Sequence, residues 1–271
     1  MDTRLREYLN GEKIEYFAVL DYADCREVNP ALNLRGGFTP RSVILYLVPY
    51  YAGETENLSR YAASLDYHII LRKIGEGIVS ILREVYPNAG AKCYGDHSPI
   101  AECHAAATAG LGIIGDNGLL INEKYGSYVF VGDVVTDVPP EALSALKPHP
   151  VSGCMHCGAC KRACPTGILS GCGEVCLSAL TQRKGELSAG EKLLIKENNT
   201  AWGCDICQSS CPYNKAPKTT PVSFFFEERT PKITYEMISD MPKSEFSRRA
   251  YAWRGKSPLL RNLAILEECD E

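Results

Sequence analysis

Eight of the thirteen cysteines in this 271-residue chain fall into two groups whose spacing suits metal-cluster chemistry. The first is Cys154-Met-His-Cys157-Gly-Ala-Cys160-Lys-Arg-Ala-Cys164-Pro165, and the second is Cys204-Asp-Ile-Cys207-Gln-Ser-Ser-Cys211-Pro212, with Cys176 upstream as its first member. A C-x2-C-x2-C-x3-C-P run wraps a [4Fe–4S] cubane: three closely spaced thiolates hold three iron corners, and the cysteine before the proline reaches the neighbouring cluster. That rule assigns Cys154, Cys157, Cys160 and Cys211 to one cluster and Cys176, Cys204, Cys207 and Cys164 to the other. Cys172, just upstream, is the alternative to Cys176. Zinc sites also use C-x2-C pairs, but four ligands do not require this longer run. Disulfides belong to oxidising compartments, and Met1 is followed by Asp-Thr-Arg-Leu-Arg-Glu, not by an apolar leader. The chemistry expected is single-electron transfer at low potential in a reducing, cytoplasmic setting. Cys25, Cys93, Cys103 and Cys269 read as small hydrophobes.

Two further segments carry candidate chemistry. Ala109-Gly-Leu-Gly-Ile-Ile-Gly115 matches G-x-G-x-x-G, yet a helical pattern precedes it and a β-rich segment follows. A dinucleotide fingerprint has the opposite order. The segment therefore reads either as a tight helix-to-strand connection or as bare backbone lying against a large flat ligand. Asp96, in Tyr94-Gly-Asp-His-Ser-Pro99, reads either as a helix cap or as an acid whose enclosure raises its pKa. His97, His104, His149 and His156 read as surface or structural residues, and His68 as helix surface. The basic, aromatic stretch Arg248–Lys256, with Arg261, reads as a solvated face or as a contact for phosphates.

The elements that must position these groups follow from hydrophobic periodicity. An amphipathic helix and a strand (16–20) open the chain, and Ser42–Pro49 is a buried strand. A long helix is expected over 56–86, weakened at Gly75 and Gly77. A strand is expected at 92–94, a helix over 101–109 ending at Gly110, and a strand over 127–136. Further on, a charged helix is expected over about 174–199, then helices near 244–253 and from Pro258. The expected fold class is α+β, with an N-terminal α/β sandwich (1–145), a double-cluster ferredoxin-like domain (146–217) and a short helical C-terminal segment (218–271). Hydrophobic content of 45% and charged content of 23% are those of a soluble protein, and the net charge of −4 does not mark a general nucleic-acid binder. No stretch approaches the ~20 apolar residues of a membrane span.

Taken together, Ser59-Arg-Tyr-Ala, Asp66-Tyr-His68, Asp96-His-Ser-Pro-Ile-Ala-Glu102, the glycine-rich segment, Leu119-Leu-Ile-Asn122, Tyr125-Gly-Ser-Tyr-Val-Phe-Val-Gly132 and the double cysteine motif resemble the epoxyqueuosine reductase family over about residues 57–215. The resemblance implies an N-terminal domain binding base-off cobalamin and a module with two [4Fe–4S] clusters. It implies electrons entering from an external low-potential donor such as a flavodoxin or ferredoxin, and passing through both clusters to cobalt. The Cys176 cluster is expected nearer the cobalamin. By the same resemblance Asp96 is the proton donor, and Arg60, Tyr61, Tyr67, His68, Gly110, Gly112, Gly115, Asn117 and Ser127 are the cobalamin contacts. The implied reaction removes the epoxide oxygen of epoxyqueuosine in tRNA as water. The chain is expected to be a monomer without a membrane partner. Gly115-Asp-Asn-Gly118 stands where the family usually has Gly-Lys-Asn-Thr, so Asp116 reverses a charge. The chain also reads as a short form lacking the C-terminal helical repeats that help family members grip tRNA. Two other readings remain, a corrinoid iron–sulfur reductase of a small molecule and a two-cluster electron carrier.

Overall fold

The N-terminal residues form helix α1 (Asp2–Gly11) and strand β1 (Phe17–Asp21), followed by α2 (Ala31–Leu34) and β2 (Ser42–Pro49) in the computed structural model, which describes residues 2–143 and 153–268. Then come α3 (His68–Val85), β3 (Ala91–Gly95), α4 (Glu102–Thr108), the short strands β4 (Ile113–Ile114) and β5 (Leu120–Ile121), β6 (Val129–Thr136) and α5 (Pro140–Leu143). The remainder is helical: α6 (Ala159–Ala163), α7 (Leu177–Gln182), α8 (Ala189–Glu197), α9 (Ile206–Ser209), α10 (Tyr235–Asp240), α11 (Lys243–Phe246) and α12 (Lys256–Glu267). Among the described residues no helix is long and apolar enough to cross a membrane.

Two units interleave along the sequence. The first contains Met1–Tyr50, His68–His156 and Thr220–Val222, and the second contains Tyr51–Tyr67, Cys157–Thr219 and Ser223–Glu271. Cuts at 145 and 217 therefore do not separate them: residues 51–67 and the C-terminal helices pack with the cysteine-rich segment. The class is α+β.

The first unit is a sheet in the order β1-β2-β6-β3, antiparallel throughout. Every residue of β2 is buried, because both faces are covered. Val43, Leu45 and Leu47 pack with Ala105, Ala106 and Ala109 of the α4 region, together with Val131 and Val135 of β6. On the opposite face Tyr46 donates its hydroxyl to the Leu71 carbonyl of α3 at 2.7 Å. This is the expected sandwich, with helices on both sides of the sheet. Gly75, expected to weaken α3, serves its packing: a Cβ there would lie 2.4 Å from the Cys93 Cβ and 3.1 Å from the Tyr46 hydroxyl.

The expected 56–86 helix begins only at His68. Upstream, the backbone and polar side chains are committed within the second unit. Ser59 N–H donates to the Trp202 carbonyl (2.7 Å) and Asp66 N–H to the Arg248 carbonyl (2.8 Å), while Asn57 exchanges side-chain hydrogen bonds with both backbone groups of Ile233. Leu58, Ala62 and Ala63 enter a core built on Trp202, Ile238, Tyr251 and Leu259. The expected 174–199 helix is two helices, because Ser188 and Glu191 form a capping box that starts α8 anew. Near 244–253 a helix over Lys243–Phe246 and a 3-10 turn over Ala252–Arg254 replace the single expected helix. Helix α10, which Thr234 caps, was not expected.

Gly75→Ala is expected to destabilise the protein by about 1–3 kcal/mol, the usual range for overpacking, when unfolding is followed in urea. Helix propensity alone gives a gain of about 1 kcal/mol, so a stabilised variant would contradict this packing.

Candidate functional site

In the second unit the thiols of Cys160, Cys164, Cys176, Cys204 and Cys207 lie near enough to act on one another. Burial pushes the Cys207 thiol up to about 12, and the ionised forms of Cys204, Cys176, Cys164 and Cys160 add to the rise. Burial pushes Cys204 to about 11, with Cys176 and Cys164 again contributing. Crowded, partly buried thiols of this kind need a cation to ionise together. Burial works to raise Cys164 as well, but the Leu169, Thr166 and Ile168 backbone N–H groups and the Thr166 hydroxyl hold it below the usual thiol range. Donors aimed at a sulfur in this way suit a cluster ligand. The chemistry of this donor set fits a [4Fe–4S] group. Cys172, the alternative ligand, is exposed, and its thiol contacts the Ser170 carbonyl at 3.8 Å.

Asp205, between Cys204 and Cys207, ties this loop to the 51–67 segment. It accepts from the Ser59 hydroxyl, from the Arg60 N–H (2.7 Å) and from the Arg60 guanidinium (3.1 Å). The guanidinium also reaches Ser209 (2.9 Å) and pairs with Glu54. Tyr61 accepts from the fully buried Trp202 indole (3.0 Å) and sits edge-on to the buried Tyr67. Arg60, Tyr61 and Tyr67 therefore shape the second unit around the Cys204–Cys207 loop. A cavity of about 430 Å³ beside Cys204 is lined by Ser59, Arg60, Asn199, Asp205 and Ser210, among others.

In the first unit the glycine-rich segment joins α4 to the β4–β5 hairpin. Gly110 ends α4 in a Schellman turn, with φ of 74°, Leu111 N–H donating to the Ala106 carbonyl and Gly110 N–H to that of Ala107. A Cβ at Gly112 would lie 2.6 Å from the Ile121 carbonyl oxygen, and one at Gly115 would meet Asn117 and Ile121. The helix-to-strand connection thus accounts for these glycines. Asn117 differs: its Oδ1 accepts from Leu119 N–H (3.3 Å), while its buried Nδ2 has no partner among the described residues. That orphaned donor suits a ligand rich in acceptors, as the carboxamide-bearing corrin rim of cobalamin is. Ser127 is buried at the foot of β6.

Asp116 Oδ1 lies 2.8 Å from His156 Nδ1 and accepts from it in the tautomer protonated there, and one ligand atom each of Asp116, Cys154 and His156 lies within 4.8 Å of the others. The charge reversal at Asp116 therefore has a local partner, and His156 is not simply a surface residue. Cys154 lies in this unit, three residues before Cys157 of the other. His149 and Cys269 fall outside the described residues.

Asp96 does not cap α4, whose N-cap is Ala101. It sits half-exposed on the turn after β3, in the left-handed region at φ 59°, with its Oδ2 3.7 Å from His68 Nε2. His68 is thus the first residue of α3 and faces the candidate acid. Two acids that sequence reasoning missed lie nearby. Asp133 on β6 is fully buried, and burial pushes it up to about 7 against the hydrogen bond from the Ser98 hydroxyl (3.0 Å). Glu102 is pushed up to about 8, first by burial and then by Asp133 and Asp96. Only its place after Asp96-His-Ser-Pro-Ile-Ala in the sequence hinted at Glu102. Nothing local hinted at Asp133, which occupies a position in an otherwise apolar strand.

The basic stretch is internally committed. Arg248 pairs with Glu228, Arg249 is buried against Glu228 and Glu245, Lys256 donates to the Ser239 and Met241 carbonyls, and Arg261 donates to those of Arg183 and Gly185. Arg254 lies over the exposed Trp253 ring, 3.9 Å from its centroid. The stretch holds the C-terminal helices together.

Residues 153–214 match the model of a 4Fe–4S double cluster binding domain. The chain is 35% identical over 222 residues to an epoxyqueuosine reductase of Listeria monocytogenes, covering 77% of this chain and 56% of that protein. It is 31% identical over 281 residues to one from Staphylococcus aureus, covering 94% and 71% respectively. The chain thus spans little more than half the length of the first of these relatives. The fold matches that of an epoxyqueuosine reductase solved with an epoxyqueuosine-modified tRNA-Tyr stem loop, with a TM-score of 0.80 at 24% identity over 97% of this chain and 80% of the other. The double cluster that the 4Fe–4S domain model describes agrees with the thiol donor set. With 31% identity across nearly its whole length, and more than two thirds of the Staphylococcus aureus protein covered, the chain belongs to the epoxyqueuosine reductase family.

Proposed function

We propose that this chain is an oxidoreductase that removes the epoxide oxygen of epoxyqueuosine in tRNA, leaving an alkene. The observation that carries the reading is that the chain, a member of the family, retains both parts the reaction needs: converging cluster thiols in one unit and an acid-bearing turn in the other. Cys154, Cys157, Cys160 and Cys211 hold one cluster, and Cys176, Cys204, Cys207 and Cys164 hold the second. Electrons enter singly from a flavodoxin- or ferredoxin-type donor in a reducing cytoplasm. The chain acts as a monomer.

Arg60, Tyr61, Tyr67, His68, Gly110, Gly112, Gly115, Asn117 and Ser127 are the cobalamin contacts of this reading, with Asn117 Nδ2 as a donor to a rim acceptor. When bound, cobalamin supplies a strongly reducing cobalt centre, and the cofactor carries the difficult bond cleavage. The protein's own work is to exclude water, stage electrons and provide protons. Asp96, on its strained turn, delivers a proton to the departing oxygen, and His68 orients its carboxyl. Family resemblance supports these roles, as does the proximity of His68 to Asp96.

One observation favours a second reading, reduction of a free small molecule. Within the basic stretch, Arg248, Lys256 and Arg261 are committed to internal acceptors. Reduced holo-protein offered an epoxyqueuosine-bearing tRNA stem loop is expected to remove one oxygen atom, as read by mass spectrometry of the nucleoside. Turnover of the free nucleoside with none of the stem loop would establish the second reading instead. Asp96→Asn is expected to slow that turnover by about 100- to 10,000-fold, the range for a general acid, with iron and cobalamin contents unchanged. Full turnover in this variant would remove the role.

For the clusters, two cubanes require about eight iron atoms per chain. Cys176→Ser is expected to reduce reconstituted iron to about half, whereas Cys172→Ser keeps it whole. The reverse result would move the ligand to Cys172.

A further inference from the structure

Asp133 is an acid in an apolar layer. It stands between Val131 and Val135, whose side chains join the core beneath α4, and strand alternation puts all three on that face. Its Oδ2 accepts from Ser98, and its Oδ1 has no hydrogen-bond partner among the described residues. Ser98 lies on the same turn as Asp96, and its hydroxyl also accepts from Ile100 N–H (3.3 Å). Glu102 opens α4 directly after this turn. Its carboxyl accepts from the Asp96 backbone N–H and feels the charges of both Asp96 and Asp133. The turn is thus fastened at two points by acids behind it.

Around these acids the thiols and phenols resist ionisation, while the charges of Asp24 and Asp21 also act on Cys25 and those of Glu76 and Arg72 on Cys93. Burial raises Cys25 after β1 to about 12 and Cys103 on α4 to about 11. It also raises Tyr46 on β2 and Cys93 and Tyr94 on β3, each with Asp133 adding to the rise. His68 on α3 lies with its Nε2 3.7 Å from Asp96 Oδ2. At neutral pH Glu102 therefore holds an exchangeable proton, while Asp133 stands near the midpoint of its titration and carries charge above it.

We propose that Glu102, held against the Asp96 turn and backed by Asp133, is a positioning and proton-relay residue that reloads Asp96 within each turnover. This rests on the functional reading above. Converting an epoxide to an alkene and water breaks two C–O bonds and forms one C=C π bond and two O–H bonds. It consumes two electrons, from the external one-electron donor through the clusters, and two protons. One carboxylic acid carries one proton. After Asp96 gives the first to the oxygen, its carboxylate takes the Glu102 proton, and the reloaded Asp96 gives the second as water leaves. Solvent protons then refill Glu102, while Asp133 keeps it neutral between turnovers by disfavouring its ionised form.

The test uses reconstituted holo-protein carrying Glu102→Gln or Asp133→Asn. Glutamine retains the acceptor for the Asp96 N–H but carries no acid proton. Wild-type turnover of the tRNA stem loop is expected to fall as pH climbs through about 8, where Glu102 ionises. In Glu102→Gln the rate at pH 7 is expected to fall at least about tenfold, and this alkaline limb to vanish. Asp133→Asn is expected to shift the limb to lower pH, because it removes the charge that raises Glu102.

A second readout is independent of activity. The folded-state pKa values of both acids lie above their unfolded values. Their contribution to stability is therefore complete at acid pH and lost as pH rises towards about 7 and 8. Wild-type melting temperature should fall between pH 5 and pH 8 more steeply than that of either variant. Unchanged turnover and pH profile in Glu102→Gln, or equal pH slopes of melting in all three proteins, would overturn the relay. A wild-type protein inert towards both the stem loop and the free nucleoside would overturn the functional reading and the relay with it, whereas an active wild type with an unaltered Glu102→Gln variant overturns the relay alone.

Discussion

The crowding of cysteine thiols in the second unit is the constraint on which the rest depends. Burial makes the Cys204 and Cys207 thiols hard to ionise, and the neighbouring thiolates of Cys176 and Cys164 add to the cost. Such an arrangement is stable with its thiolates formed only when positive charge sits among them, which iron provides. Metal binding and folding of this unit are therefore coupled. The local structure is built to the same end: N–H groups after Cys164 turn towards its sulfur, and Asp205 is anchored by Ser59 and Arg60 so that the Cys204–Cys207 loop keeps its shape.

That anchoring explains an otherwise odd division of the chain. Residues 51–67 precede α3 without a break in sequence, yet their backbone donors and apolar side chains are spent on Trp202, Ile233 and the C-terminal helices. The first unit has its own organising tension, an antiparallel sheet closed on both faces by helices and containing a fully buried carboxyl. A carboxyl held in apolar surroundings is retained most readily in its neutral form, and this one stands behind the turn that presents Asp96.

What could be read from the sequence was whatever depended on local spacing. The cluster cysteines announced themselves because a cubane fixes the separation of its thiolates. The strand over Ser42–Pro49 and the end of α4 at Gly110 followed from apolar runs and turn chemistry. Features that depended on distant partners were hidden. The periodicity of 56–67 is helical, but non-local hydrogen bonds override it. The basic stretch reads as a solvated or phosphate-binding face until its cations are seen bonded to Glu228, Met241 and Arg183. Glu102 resembles an ordinary acid in a first helical turn, and only the register of β6 places Asp133 behind it. For the glycine-rich segment, the structure supplies internal reasons for Gly110 and Gly112, while the buried amide nitrogen of Asn117 has no partner among the described residues.

The central claim is that one chain couples two cubanes to cobalamin, and anaerobic electron paramagnetic resonance tests it most directly. The protein would be reconstituted with iron and sulfide, loaded with hydroxocobalamin, desalted and mildly reduced. A retained base-off cob(II)alamin signal beside the signals of two reduced clusters is the result this account requires. Cluster signals with no retained cobalt would contradict it and make the chain an electron carrier.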